Sequence, residues 1–375
     1  MTTVLETPAG PTGVAAVLEA RDLTAYRGTR AVSHATALAL REGETLAILG
    51  PNGAGKSSLV LALAALLPAT GELRYRGAPI DPPRYRRCIS VVFQRPLLLD
   101  RSVRDNAALG LAIRGVGRDE RRRRADDELA RLGISHLAAR PATALSGGEA
   151  QRVSIARALA VDPDIVFLDE PFGALDAPTR ETLIADLARV LRGHGVTTVL
   201  VTHDREEALS LADRVAVVIR GELRQLDDAE TVFAAPVDPE VAAFVGVENV
   251  LPARVVSVTD EITTLRIADR TVAVTETPPS GDDFPLLCVR PDDIVISLGE
   301  AAGEQTSARN VFPARIVKVE PIGRRMRLVL DAGFPLIAHV TRQSARELDL
   351  TVDRHVVASF KATVPHLLPR HRAAR

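Results

Sequence analysis

The residues with the most specific chemistry are Gly50-Pro51-Asn52-Gly53-Ala54-Gly55-Lys56-Ser57-Ser58, set between the apolar runs Thr45–Leu49 and Leu59–Leu67. A buried strand that ends in a glycine-rich turn and reopens as a helix leaves several backbone N–H groups unpaired and pointing one way, which makes an anion cradle. In the spacing G-x-x-x-x-G-K-S, Gly53 and Gly55 let the backbone approach phosphate. Lys56 is then placed against the β and γ phosphates of a nucleotide, and the Ser57 hydroxyl on Mg²⁺. Composition sharpens this reading. Of 47 basic residues only Lys56, Lys318 and Lys361 are lysines, so the chain writes its ordinary surface charge as arginine. A lysine in a narrow cradle is chosen as a compact point charge.

Other positions fall into place around that loop. Asp164 to Leu168 reads as a buried strand delivering two adjacent carboxylates, Asp169 and Glu170. At the carboxyl end of a parallel strand one acid can order Mg²⁺ through water while its neighbour activates an attacking water. Cys88 to Phe93 is a short strand ending at Gln94, and Thr197 to Thr202 a buried strand ending in His203-Asp204. Four strands thus deliver polar groups at their C-terminal ends, as ligand sites in open α/β sheets do. Leu145-Ser146-Gly147-Gly148-Glu149 precedes a helix over 149–159 and offers a second phosphate-grade helix end, with Ser146 as hydroxyl donor. Tyr26, ahead of the loop, could stack on a purine or could be an edge-strand aromatic; on the residues alone both readings stand.

The elements that must hold these groups follow from periodicity. Ala16–Leu23 and Ala35–Leu40 alternate as strands, and residues 1 to about 16, rich in Thr, Pro, Gly and Ala, read as a disordered lead. Residues 95–140, with apolar Val103, Ala107, Leu111, Leu129, Leu132 and Ile134 among charges, read as a helical insert. At 375 residues, 46% hydrophobic and 25% charged, the chain has the composition of a soluble protein of two or three domains. Its net charge of −1 gives no global field for nucleic acid. Its longest apolar run, Leu59–Leu67, is nine residues, about half of the roughly 18 needed to span a bilayer. If the chain acts at a membrane, a partner must supply the spanning helices. Cys88 and Cys288 lie far apart in apolar runs, where a small buried thiol in a reducing cytosol is the default.

Together these elements resemble the nucleotide-binding subunit of an ABC transporter. Tyr26, the loop 50–57, Gln94, Leu145–Glu149, the strand 165–169 with Glu170, Ala174-Leu-Asp176 and His203 match that family's A-loop, Walker A, Q-loop, signature, Walker B, D-loop and switch histidine in order, over about residues 17–245. The resemblance implies an α/β P-loop NTPase that pairs head to tail as a homodimer. Two ATP molecules would lie between the copies, each touched by one P-loop and by the other copy's Ser146, Gly147 and Gly148. Glu170 would be the general base, Ser57 and Gln94 Mg²⁺ ligands with Asp169 assisting, His203 the γ-phosphate contact and Asp176 the link between sites. It also implies an integral-membrane permease dimer docked on the helical insert, an external solute-binding protein acting indirectly, and a peripheral place on the cytoplasmic face of the plasma membrane.

Past residue 245 the pattern turns to short β segments. Asn249-Val-Leu-Pro-Ala-Arg-Val-Val-Ser-Val258 and Asn310-Val-Phe-Pro-Ala-Arg-Ile-Val-Lys-Val319 agree at seven of ten positions, 61 residues apart. We read an all-β tail (246–375) of two barrel-like repeats, about 249–300 and 306–368. The tail resembles the TOBE/Mop regulatory domains of importer ATPases, in which Ser307, Arg309, Asn310, Ser359, Lys361 and Thr363 would hold a regulatory oxyanion, molybdate or tungstate. Hydroxyls and cations suit a small tetrahedral dianion. In the first copy Glu248 precedes Asn249 where Arg309 precedes Asn310, and a carboxylate there should repel an anion. The alternatives are sulfate, ferric iron, polyamine or sugar import, or, in another class, a soluble ABC protein acting on ribosomes or DNA. The latter usually carry two P-loops or a coiled-coil insert, and neither is found here.

Overall fold

The computed structural model describes residues 16–279, 282–299 and 307–370; the segment read as a disordered lead lies, except for Ala16, outside them. Two compact units divide between Val232 and Phe233.

The first unit is built on a ten-stranded sheet. Its parallel part runs Arg214–Ile219, Thr45–Leu49, Thr197–Thr202, Ile165–Asp169, Ile89–Val92, side by side in that order. Thr45–Leu49 and Thr197–Thr202 are buried at every residue, as strands covered on both faces must be. The remaining strands form an antiparallel flank, with Ala16–Arg27 paired to Arg30–Arg41 across a tight turn at Gly28. Because Thr197–Thr202 lies between Thr45–Leu49 and Ile165–Asp169, the crevice at the strand C-termini opens at a switch in strand order, where α/β sheets bind ligands.

Residues 95–140 are helical as expected, with short helices Val103–Ala107 and Leu109–Ile113 and a longer one at Arg118–Arg131. All six apolar positions named from the periodicity are buried. Five of them pack with Val153, Ile155 and Leu159 of the helix Gly147–Leu159. No helix among the described residues is long and apolar enough to cross a membrane.

In the second unit the two sequence repeats are not separate barrels. Val295–Ser297, from the first copy, pairs with His355–Phe360 of the second; His366–Leu368, from the second, pairs with Leu286–Val289 of the first. The copies trade strands and close over one core that includes Leu265, Val272, Leu287, Phe312, Leu328 and Phe360. Sixty residues bury too little apolar surface to stand alone easily, so sharing a core is the stabler solution. Cys288 is buried in this unit, which pushes its thiol up to about 12 and leaves it inert.

A reciprocal clasp fixes the exchange. Asn249 is 2% exposed and its amide takes the N–H of Ile337 at 2.6 Å and gives to Ile337 O at 2.9 Å. Asn310, at the same place in the other copy, takes the N–H of Ala273 at 2.7 Å and gives to Ala273 O at 2.8 Å. Each asparagine thus completes the hairpin of the opposite copy. This corrects the expected place of Asn310 among the oxyanion residues, since both ends of its side-chain amide are already used. Alanine at either position leaves a half-buried backbone N–H and C=O without these partners. We expect Asn249→Ala and Asn310→Ala each to cost about 2–3 kcal/mol of tail stability, read by denaturant unfolding of the full chain. A loss below about 0.5 kcal/mol, the range of ordinary surface changes, would show that the clasp does not matter.

Candidate nucleotide and anion sites

The cradle forms because glycine is the only residue that fits at two of its turns. A Cβ on Gly50 would lie 2.1 Å from Val218 O, and one on Gly55, which has φ +93°, would lie 2.5 Å from Val32 O. The backbone therefore packs against its neighbours with no room for a side chain. Lys56 opens the following helix, Lys56–Leu63, is only 4% exposed, and donates to the carbonyls of Gly50 at 2.8 Å and Pro51 at 3.1 Å. Burial lowers its pKa, opposed by the charges of Glu170 and Asp169.

The strand ends deliver the expected partners. Ser57 Oγ donates to Asp169 Oδ1 at 2.9 Å. Glu170 lies 3.8 Å from Lys56 Nζ, and its Oε2 lies 3.5 Å from Gln94 Nε2 and 3.6 Å from His203 Nδ1. Burial raises the Asp169 pKa, with the Ser57 hydrogen bond opposing it. Glu170 has φ 44°, a left-handed conformation costly for a non-glycine residue and retained where a side chain must be aimed. Gly173 leaves space beside Gln94 Nε2 and Glu170 Oε2, at 3.4 and 3.6 Å from where its Cβ would be. A hydroxyl, an amide and a carboxylate suit a hard cation that keeps several water and phosphate oxygens, so the residues fit Mg²⁺.

A second group gathers around the start of the helix Gly147–Leu159. Gly148 is buried, and a Cβ on it would come within 2.6 Å of Thr179 Cγ2. Asp176 caps the 18-residue helix Ala177–His194 by accepting from Thr179 N. Ser146 and Gly147 are exposed. The Ser146 hydroxyl, expected as a phosphate donor, is committed within this chain to Glu149 in a capping box: it donates to Oε2 at 2.9 Å and accepts from the Glu149 N–H at 3.3 Å. Tyr26 sits half-buried at the hairpin end, its N–H bonded to Pro68 O. The next residue, Arg27, donates to Ser58 Oγ at 3.2 Å. Arg27 was not singled out by the sequence, because one arginine among 44 carries no pattern.

In the tail, the pairing of Asn310 with Phe360 brings residues 307–309 and 361–363 to the same end of two neighbouring strands. Ser307, Arg309, Lys361 and Thr363 are exposed there and Ser359 is half-buried. The matching place in the first copy is closed by paired charges. Glu248 pairs with Arg327 at 2.7 Å and approaches His339 at 3.2 Å, and Arg290 is held by Asp293 at 2.8 Å.

This crevice of P-loop, paired carboxylates, glutamine and histidine defines an ATPase of the ABC type. Residues 34–173 match the ABC transporter family and residues 306–367 the TOBE domain. The chain belongs to the ATP-binding subunits of ABC importers. It is 40% identical to the molybdate/tungstate import ATP-binding protein WtpC of Pyrococcus horikoshii, over 88% of this chain and 94% of that one. It is 36% identical to the sulfate/thiosulfate import ATP-binding protein CysA of Mesorhizobium japonicum, over 84% and 91%. Among solved structures it is similar to cbiO1 of Clostridium perfringens, part of the ABC transporter complex cbiONQ, with TM-score 0.55 and 30% identity over 62% of this chain and 95% of that one. The protein is therefore an ATP-binding ATPase with an all-β TOBE tail, working with membrane permease subunits.

Gly50→Ala should disrupt nucleotide binding more than Gly53→Ala. The first forces backbone apart at Val218; the second, at φ +79°, meets no protein atom within 4 Å, so its cost is conformational strain of about 1 kcal/mol and the contact of one methyl group with bound phosphate. Calorimetric ATP affinities of the two variants check this, and equal losses would contradict it.

Proposed function

We propose that the protein couples ATP binding and hydrolysis, in a head-to-tail homodimer, to uptake of molybdate or tungstate. The convergence of Lys56, Ser57, Asp169, Gln94, Glu170 and His203 in one crevice carries the mechanism. Lys56 and the loop N–H groups hold the β and γ phosphates. Bound Mg²⁺ would neutralise phosphate charge, held by Ser57 and Gln94 with Asp169 through water. Glu170 takes the proton of the attacking water, and His203, beside it, fixes the γ-phosphate. The partner copy's Ser146, Gly147 and Gly148 complete the site, and Asp176 links the two sites. Phosphoryl transfer of this kind is positioning plus charge stabilisation, which leaves the free energy of closure for transport.

Support for a permease contact lies beside Gln94. A cavity of about 810 Å³ is lined by Phe93, Leu97, Ile113 and the arginines 86, 87 and 114, with Ile113 79% and Leu97 61% exposed. Exposed apolar groups rimmed by charge are what a docking helix from a membrane subunit covers. Such docking would hold the protein at the cytoplasmic face of the plasma membrane, with an external binding protein feeding the permease.

Arg309, Lys361, Ser307, Ser359 and Thr363 supply the donors for an oxyanion, and the tail then reports cytosolic product back to the ATPase. Relatives of similar identity named for sulfate/thiosulfate import make sulfate the second reading. Calorimetry on the full chain separates them. We expect molybdate or tungstate to bind more tightly than sulfate, and Arg309→Ala/Lys361→Ala to weaken binding by at least about tenfold, as the loss of charged hydrogen bonds requires. Tighter sulfate binding would transfer the assignment to sulfate, and unchanged affinity in the double variant would remove the site.

A further inference from the structure

Arg180, four residues into the helix Ala177–His194, reaches two loops at once. Its Nη2 donates to the carbonyl of Leu175 at 3.2 Å, in the turn that carries Asp176. On the other side, Nη1 lies 3.7 Å from Asp204 Oδ2 and Nε 4.0 Å from Glu207 Oε1. Those two acids follow His203 in the chain. The Thr202 hydroxyl donates to Glu207 Oε2 and accepts from the Asp204 N–H at 2.9 Å, while Asp204 Oδ1 caps the helix Arg205–Leu211. The residue before His203 and the residue after it are therefore both tied, through carboxylates, to one guanidinium.

Helix stability does not account for a cation at this place. Arg180 sits in the first turns of an 18-residue helix and faces the start of another, where the helix dipole disfavours positive charge. The two carboxylates and the carbonyl favour it. The site is also drawn loosely, since Arg180 Nε is buried without a hydrogen bond and both acid contacts lie at ion-pair rather than hydrogen-bond distance. A small displacement of the Leu175–Asp176 turn would thus make or break bonds on the His203 side. Glu207 belongs to the same balance: burial raises its pKa, and the Arg180 charge is among the influences that lower it. The turn in question also touches the signature end, since Leu175 Cδ2 lies 4.0 Å from where a Cβ on Gly147 or on Gly148 would be.

We propose that Arg180 is a positioning residue for ATP hydrolysis, holding the His203 loop in register with the Leu175–Asp176 turn so that both are set together. This rests on the roles given above to Glu170 and His203. It requires a planar fork with several donors; lysine keeps the charge but cannot hold a carbonyl and two carboxylates simultaneously.

The test uses the full chain, measuring ATP turnover, ADP affinity and thermal stability. For Arg180→Ala we expect kcat to fall about tenfold with KM and ADP affinity changed less than about twofold. Arg180→Lys should recover part of kcat, to within about threefold of the unaltered protein. A merely structural role would lower Tm and nucleotide affinity together and leave no kcat-selective loss, which would overturn the proposal. If Glu170→Gln and His203→Ala abolish turnover while Arg180→Ala does not, Arg180 alone is misassigned. If Glu170→Gln turns over normally, the reading of the site fails, and the Arg180 proposal with it.

Discussion

The structure depends on placing one ammonium group where water is nearly excluded and anions are already waiting. Lys56 is buried against two backbone carbonyls, with Glu170 at 3.8 Å and Asp169 held by Ser57 next to it. A lone buried charge would cost several kcal/mol, and here carbonyl dipoles and carboxylates offset it. The arrangement works only because three parallel strands end at the same level. Thr45–Leu49 supplies the loop and lysine, Ile165–Asp169 the acids, and the strand between them His203. On the proposed mechanism a nucleotide's phosphates would exchange for part of this internal charge balance, beside the residues that would activate water.

The tail solves a different problem with a duplication. Each repeat leaves its hairpin unfinished, and a buried asparagine from the other copy completes it. The duplication then frees the two ends to diverge in charge. In the first, Glu248 with Arg327 and Arg290 with Asp293 neutralise one another; in the second, Arg309 and Lys361 stand exposed. Of these two corresponding ends, the second is the one that presents exposed positive charge.

Much of this was legible in the residues because local chemistry dictates it. The glycine spacing with Lys56, the acids after a buried strand and the apolar periodicity of 95–140 each have a short-range cause. Ser146 shows the limit of such reading: its type and position suggested a donor to phosphate, while the use of the same Ser-x-x-Glu spacing as a capping box within one chain went unread. Asn310 was misread for a related reason, since its partner Ala273 lies in the other copy. The strand exchange and the contacts of Arg180 were invisible for the same cause. Nothing local marks which of many arginines meets Asp204 and Glu207 in a later segment of the chain.

On the proposed mechanism the crevice becomes a hydrolytic site only when a second copy brings its signature helix end to the nucleotide. Sedimentation of the full-length Glu170→Gln protein, with and without ATP, tests it most directly. A shift to twice the monomer mass on adding ATP, lost in a Lys56→Ala background, is the expected result. ATP bound by a protein that stays monomeric, together with normal turnover by unaltered monomers, would contradict it.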